Sequence, residues 1–377
     1  MIRAVRLAIL VLCLIVCATL QPAAADEFYR EDLRIPFAAA GPRGLEALLI
    51  RPAGARPYPL ALISHGTNAK AELRQSLTPY RYYRQAVELA RRGFAAVVVM
   101  RRGYGDSGGD YAEGKSCCNM AGFLRTAKAD VEDLRAAIAA MKRRNDVTTQ
   151  GMIAVGVSTG GFATVALASD SPAGLAAAIN FAGGIRRDNG EANDPRTAGD
   201  QDALVETFRM FGGKSGVPML WIYAANDSYF SSELAHRMFD AFKAGGGRAR
   251  LVEAPAFGRD GHSLFGSGTS NWLATVDDFL REQNLGLREP LAPPPLPAVP
   301  IPPQFNGRGR SAFAEYLAAG AHKAFAVSPK GLFGYSTGSR SALKARAEAL
   351  AACAEYGPDC AVYAVDDELA STADGVH

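Results

Sequence analysis

Three serines stand in the pattern Gly-x-Ser-x-Gly: Gly105-Asp-Ser107-Gly-Gly109, Gly156-Val-Ser158-Thr-Gly160 and Gly334-Tyr-Ser336-Thr-Gly338. The spacing suits attack on an acyl carbon only where a strand runs into the serine and a helix leaves it, with small neighbours allowing a turn that exposes the hydroxyl. Ser158 meets that condition, with the apolar run 152–157 before it and the small-residue run 161–168 after it. Ser107 sits in a Gly-rich loop, Arg101-Arg-Gly-Tyr-Gly-Asp-Ser-Gly-Gly109, which reads as a turn shaping a pocket. Ser336 lies near the C-terminus in a segment too small to hold a full set of catalytic groups, and reads as a polar turn.

A serine hydroxyl is a weak nucleophile until a base takes its proton, and the base needs a carboxylate to orient it. The chain has five histidines. His262 follows the apolar run 249–253 in Gly258-Arg-Asp-Gly-His262 and is the candidate base. His236 falls inside an amphipathic helical pattern, His322 and His377 belong to the C-terminal segment, and His65 in Ile63-Ser-His-Gly-Thr67 suits a backbone role. Asp227 comes directly after the run 217–223 in Ala224-Ala-Asn-Asp227 and is preferred as orienting carboxylate. Asp260, two residues from His262, is its rival.

The elements that must position these residues are legible as alternation. Runs at 60–64, 95–100, 152–157, 175–181, 217–223 and 249–253 read as strands, most of them apolar on both faces, as parallel strands covered by helices should be. Helical patterns lie between them at 80–92, 125–143, 161–170, 200–211 and 231–243, with a last one at 270–283. The fold class is α/β: a doubly wound, mostly parallel sheet, in which ligands bind beyond the carboxyl ends of the strands. Two polar, Gly-rich stretches, 107–122 with Cys117-Cys118 and 183–213 with Arg186-Arg187, are candidates to overhang that site. Trp272 reads as core.

These pieces resemble the α/β-hydrolase superfamily, and within it secreted dienelactone-hydrolase-like and esterase-like members. The matching residues are His65-Gly66, Arg102-Gly-Tyr-Gly-Asp-Ser-Gly108, the turn around Ser158, Ala224-Ala-Asn-Asp227 and Asp260-Gly-His262, spanning about 58–265 in the order Ser, Asp, His. Dienelactone hydrolases use a cysteine nucleophile, so the serine puts the lactone substrate in doubt and leaves acyl transfer intact. The resemblance implies backbone oxyanion donors at Thr67 and Thr159. It implies no cofactor, and no His or Cys cluster has metal-ligand spacing. The turn at 102–108 is also similar to X-prolyl peptidases and acyl-ester hydrolases. Ser107 lacks the following proline and the upstream Ala-Ala-His-Cys of a trypsin-type site.

The chain has 377 residues, 48% hydrophobic and 21% charged, with 41 basic against 38 acidic residues whose short basic runs are scattered. Such a chain is neither disordered nor fibrous, and it lacks the gathered basic face of a nucleic-acid binder. Arg3 and Arg6, the 14-residue apolar run 7–20 and Ala23-Ala-Ala25 form a secretory signal expected to be cleaved after Ala25, giving a periplasmic or secreted protein. The run is short for a transmembrane helix. The two arginines are not adjacent, against twin-arginine export, and Val16 disfavours a lipoprotein box before Cys17. Four cysteines then remain. Cys353 and Cys360 enclose a loop that a local bridge can close, whereas the pairing of Cys117 and Cys118 is open.

Eight prolines in the fourteen residues from Pro290 to Pro303 deny that stretch helix and sheet bonding and make it a linker. The expected organisation is a signal at 1–25, an α/β-hydrolase domain at 26–288, a linker at 289–303 and a small α+β domain at 304–377, with a hairpin around 323–335, a helix over 339–356 and a strand at 360–365. That tail offers envelope attachment, partner binding or capping. The expected function is hydrolysis of a small-molecule carboxylic ester by Ser158, His262 and Asp227. The alternatives are an amide or peptide hydrolase with the same groups, and a non-catalytic envelope-binding protein on the same fold.

Overall fold

The structure is a computed structural model that describes residues 28–67, 70–112, 118–186 and 195–370. The expected signal segment, Cys117 and Arg187 lie outside the described residues.

Eight strands form one sheet in the order β1-β2-β4-β3-β5-β6-β7-β8. They are β1 (Phe28–Ile35), β2 (Leu45–Pro52), β3 (Tyr58–Ser64), β4 (Ala95–Val99), β5 (Val147–Val157), β6 (Leu175–Phe181), β7 (Met219–Ala224) and β8 (Ala249–Ala254). From β4 through β8 the neighbours run parallel, and β1 and β2 add an antiparallel edge. This edge is absent from the expectation, because β1 carries Arg30, Glu31, Asp32 and Arg34 and shows no continuous apolar run.

Strand alternation divides the core into two. In β4, Ala95, Val97 and Val99 join one cluster while Ala96 and Val98 join the other. The first cluster is covered by α3 (Met120–Lys142), α4 (Thr159–Asp170), α5 (Pro195–Gly212) and α6 (Ser232–Ala244), through Phe123, Phe162, Phe208 and Phe242. The second is covered by α2 (Tyr83–Arg91) and α7 (Thr269–Glu282), through Leu89 and Trp272, and it includes Tyr80 and Tyr82 of the 3-10 turn Pro79–Tyr82. The short helix α1 (Ala71–Ser76) precedes that turn. Leu204, Thr207, Phe208 and Phe211 are buried at helical spacing, and the helix expected at 200–211 is present and starts earlier, at Pro195, within the stretch named as a candidate overhang.

Residues 290–302 carry neither helix nor strand. Beyond them, β9 (Ala324–Val327), β10 (Phe333–Ser336), β11 (Ala361–Val365) and β12 (Glu368–Leu369) form an antiparallel sheet in the order β10-β9-β11-β12. On one face lies α8 (Gly307–Leu317), packed through Phe313 and Tyr316; on the other lies α9 (Ala342–Ala354), through Ala345 and Ala349. Cys353 at the end of α9 is disulfide-bonded to Cys360. The hairpin, helix and closing strand fall where the pattern put them; α8 is an addition.

Candidate active site

Ser158 is the residue between β5 and α4, at φ 57 and ψ −126. A side chain adopts this left-handed conformation only under constraint, and the neighbouring glycines show what supplies it. A Cβ on Gly156 would come within 2.0 Å of the Gly160 carbonyl oxygen, and one on Gly160 within 2.2 Å of the Ser64 carbonyl oxygen. Strand, turn and helix therefore fit against each other and against β3 only with glycine at both positions. The turn closes with Phe162 N–H donating to the Ser158 carbonyl at 3.0 Å.

The Ser158 hydroxyl lies 3.1 Å from Nε2 of His262. On the other side of that ring, Nδ1 is 3.1 and 3.0 Å from Oδ1 and Oδ2 of Asp227. Because a carboxylate only accepts, Nδ1 carries the proton and Nε2 presents its lone pair to the serine. Asp227, its side chain fully buried, also accepts from the N–H groups of Tyr229 and Phe230 at 2.8 and 2.9 Å. The rival Asp260 instead accepts from the backbone of His262 and from Ser228, whose hydroxyl donates to it at 2.6 Å. Those bonds hold the His262 loop; the ring belongs to Asp227. His236 is exposed and pairs with Glu253, and Trp272 is buried against Phe181 and Phe265.

His65 is fully buried beneath the turn. Its Nε2 accepts from Arg101 N–H at 3.0 Å, and its Nδ1 donates to the Gly66 carbonyl at 2.7 Å. Burial and then the Arg101 charge push its pKa well below the ordinary imidazole value, so it is a neutral structural group. Gly66 packs on the serine, since a Cβ there would meet Ser158 Cβ at 3.0 Å. This brings Thr67, next in the chain, to the rim of the same cavity as Ser158. Thr159 follows the serine at the start of α4. Its hydroxyl accepts at 3.0 Å from the buried guanidinium of Arg101, which also donates to the Ser64 hydroxyl and the His65 carbonyl at 2.7 Å each and faces Asp130 at 3.4 Å.

Ser107 is buried, donating to the Met100 carbonyl at 2.7 Å and accepting from Glu46 N–H at 2.9 Å. Ser336 lies on β10 and hydrogen-bonds Glu348 at 2.6 Å. Neither serine has a histidine beside it among the bonds described.

The cavity over Ser158 measures about 360 Å³. Its walls come from Leu73, Ser76, Leu77, Arg81 and Tyr82 on one side and from Tyr229 and the 260–267 segment on the other. The described parts of 107–122 and 183–213 do not line it, and residues 113–117 and 187–194 lie outside the described residues. Arg186 comes near indirectly, its guanidinium 4.3 Å over the Tyr229 ring, which stacks on His262 at 4.3 Å. Arg101 under the turn and Tyr229 over the imidazole were not singled out from sequence. The first carried a signal, a cation at the end of a wholly apolar strand; the second carried none. A larger hollow of about 700 Å³ lies in the small C-terminal unit, around Phe333, Tyr335 and Tyr356, and holds no histidine. Among the described residues no group of three or more His, Cys, Asp or Glu is placed to hold a metal ion.

A sequence profile of the X-Pro dipeptidyl-peptidase (S15) family matches residues 43–192, which include Ser158 but neither Asp227 nor His262. No curated protein matches the chain. Among solved structures, an acylaminoacyl peptidase in complex with Z-Gly-Gly-Phe-chloromethyl ketone superposes with a TM-score of 0.50 at 15% identity, covering 70% of this chain and 42% of that one. That likeness in fold joins the sheet order and the strand-turn-helix at Ser158. The chain has the fold of the α/β-hydrolases. Weaker likenesses include a Pyrococcus furiosus esterase, at TM-score 0.46 and 11% identity over 68% of this chain and 93% of that one. Another is a dienelactone-hydrolase-like promiscuous phosphotriesterase from metagenomic libraries, at 0.45 and 19% over 68% and 96%. In this fold the chain carries its nucleophile candidate after the fifth strand, its candidate carboxylate after the seventh and its candidate histidine after the eighth.

Proposed function

We propose that this protein is an exported serine hydrolase of the α/β-hydrolase superfamily that cleaves carboxylic esters. The observation that carries the reading is the relay from Ser158 through His262 to Asp227, at 3.1 and 3.0 Å, on a turn that exposes the hydroxyl. His262 Nε2 removes the Ser158 proton as Oγ bonds the ester carbon, and the carbonyl π electrons pass to oxygen. The N–H groups of Thr159 and Thr67 are the donors for that oxyanion. As the intermediate collapses, His262 returns the proton to the departing alcohol. Water then attacks the acyl-enzyme with His262 as base, releasing the acid and restoring Ser158. Asp227 keeps Nδ1 protonated throughout and stabilises the transient imidazolium.

Peptide hydrolysis with the same groups is the second reading, favoured by the S15 profile match. An enzyme that removes dipeptides must also hold the substrate's terminal ammonium. Asp260, the carboxylate lining the cavity among the described residues, already accepts from Ser228 and from the His262 backbone. The ester reading is therefore preferred. Export rests on the N-terminal signal pattern, and N-terminal sequencing of the protein recovered from the periplasm or medium should begin at Asp26.

A fluorophosphonate probe should label Ser158 and leave Ser107 and Ser336 untouched. Ser158→Ala should abolish labelling and reduce ester turnover by about four to six orders of magnitude, and Asp227→Asn by about four. An unlabelled but folded protein would leave the envelope-binding alternative standing. A panel of p-nitrophenyl esters beside X-Pro and acyl-amino-acid p-nitroanilides separates ester from amide; faster turnover of an anilide would reverse the preference.

A further inference from the structure

Two Gly-x-Ser-x-Gly turns carry no nucleophile, and they come together at one joint. We infer that the C-terminal sheet is a working part of the substrate cavity: its turn from Ser336 to Arg340 holds the segment from Leu77 to Tyr82 in the position that bounds the space over Ser158. The inference rests on the reading of that cavity as the substrate site.

The cavity's wall residues Leu73, Ser76, Leu77, Arg81 and Tyr82 belong to a stretch of chain with little internal support. It consists of the six-residue α1, a link through Leu77 and Thr78, and a four-residue 3-10 turn, and helices so short are not stable by themselves. Part of its support comes from about 260 residues further along. Arg340 donates from Nη2 to the Leu77 carbonyl and from Nη1 to Glu46. The Thr78 hydroxyl, almost fully buried, donates to the Gly338 carbonyl at 2.7 Å. Gly338, at φ 68, brings its backbone so close to the 3-10 turn that a Cβ would stand 3.0 Å from Arg81 N.

The body meets the same joint from the other side. Glu46 accepts from Asp106 N–H at 2.8 Å, and Gly105 N–H donates to the Arg74 carbonyl at 3.0 Å. A Cβ on Gly105 would lie 2.6 Å from Glu46, 2.8 Å from the Leu77 carbonyl and 3.0 Å from Arg340, so glycine is required where these segments cross. Behind the turn, the hydroxyls of Ser336 and Ser339 both donate to Glu348 on α9, at 2.6 and 2.5 Å. The turn is thus braced by its own domain before it grips the wall. Apolar packing alone tolerates sliding, whereas a guanidinium shared between a carboxylate and a carbonyl fixes one position. Arg340 is a positioning residue, acting on substrate through Leu77 and its neighbours.

The test uses the full chain. In Arg340→Ala, amide hydrogen exchange over 77–82 should quicken about tenfold or more while the strands of the large sheet stay protected. KM for p-nitrophenyl butyrate should rise about fivefold with kcat changed no more than about twofold, because the wall binds and does not react. Arg340→Lys should restore part of the loss, keeping the charge against Glu46 without the fork that also reaches Leu77. Thr78→Val, which removes one bond only, gives a milder copy should Arg340→Ala fold poorly. Unchanged exchange over 77–82 would overturn the inference, as would a lowered melting temperature with KM untouched, which is what interdomain packing alone predicts. Failure of the wild type to react with fluorophosphonate would sink the hydrolase reading instead, and the exchange measurement would still decide the joint.

Discussion

Arg101 places a guanidinium with 1% exposure at the end of an apolar strand, where its donors meet oxygens of Ser64, His65 and Thr159 and its charge faces Asp130. Removing it would leave Asp130 buried without that cation, a loss typically costing about 3–5 kcal/mol. Arg101→Lys is the more informative change. It keeps a charge against Asp130 and loses the fork that reaches both β3 and Thr159, so the Thr159 N–H should drift from the oxyanion. We expect kcat to fall about tenfold to a hundredfold with KM little changed, measured against the fraction of enzyme titrated by fluorophosphonate. An unchanged kcat would mean that Thr159 holds its place without the guanidinium. Ser158, Asp227 and His262 were legible in the sequence because each follows a strand, and position after a strand is a local signal. The role of Arg101 was not. Its place at the end of an apolar strand was the one local signal, and its neighbour Arg102 turns instead to Glu132 and Asp133.

At the scale of elements, the central strands and most helices were legible because both faces of a parallel strand are apolar, and the edge was hidden for the opposite reason. In β2, the partner that makes Glu46 tolerable is Arg340, far along the chain. The edge is tied to the centre by charge. Asp146, just before β5, accepts from Arg51 of β2 and from Arg144, both at 2.8 Å, and Arg144 reaches Glu31 of β1 at 2.8 Å. Its hydrogen bond from Arg144, with Arg51 adding to it, holds the Asp146 carboxyl down to about 2. A carboxyl that titrates lower folded than unfolded stabilises the fold above its unfolded value near 4, and that stabilisation disappears as pH falls through 2. Asp146→Asn should therefore cost on the order of 1 kcal/mol at pH 7, with the gap to wild type closing between about pH 4 and 2. Urea midpoints across that range measure it. A gap that stays constant with pH would assign the loss to packing.

On the scale of the whole molecule, the small sheet, the bridge and the cavity form one chain of dependence. The disulfide joins Cys353 at the end of α9 to Cys360 just before β11, and α9 also carries Glu348, which braces the turn that holds Leu77. Closing a loop this short removes unfolded-chain entropy worth about 2–3 kcal/mol, a large share of what a four-stranded sheet with two helices can hold by itself. Reduction should therefore loosen the C-terminal unit first and reach the candidate active site only through the wall. With dithiothreitol, the 77–82 amides should lose protection and KM should rise as in Arg340→Ala, while Ser158 still reacts with fluorophosphonate. Cys353→Ser should reproduce this without reductant and should add nothing further when combined with Arg340→Ala, because both act through one joint. If the two losses in KM instead multiply, the bridge and the arginine reach the cavity by separate routes. Cys118 is also disulfide-bonded, so Cys353→Ser, which leaves that bond intact, tells which bridge the reductant acted through.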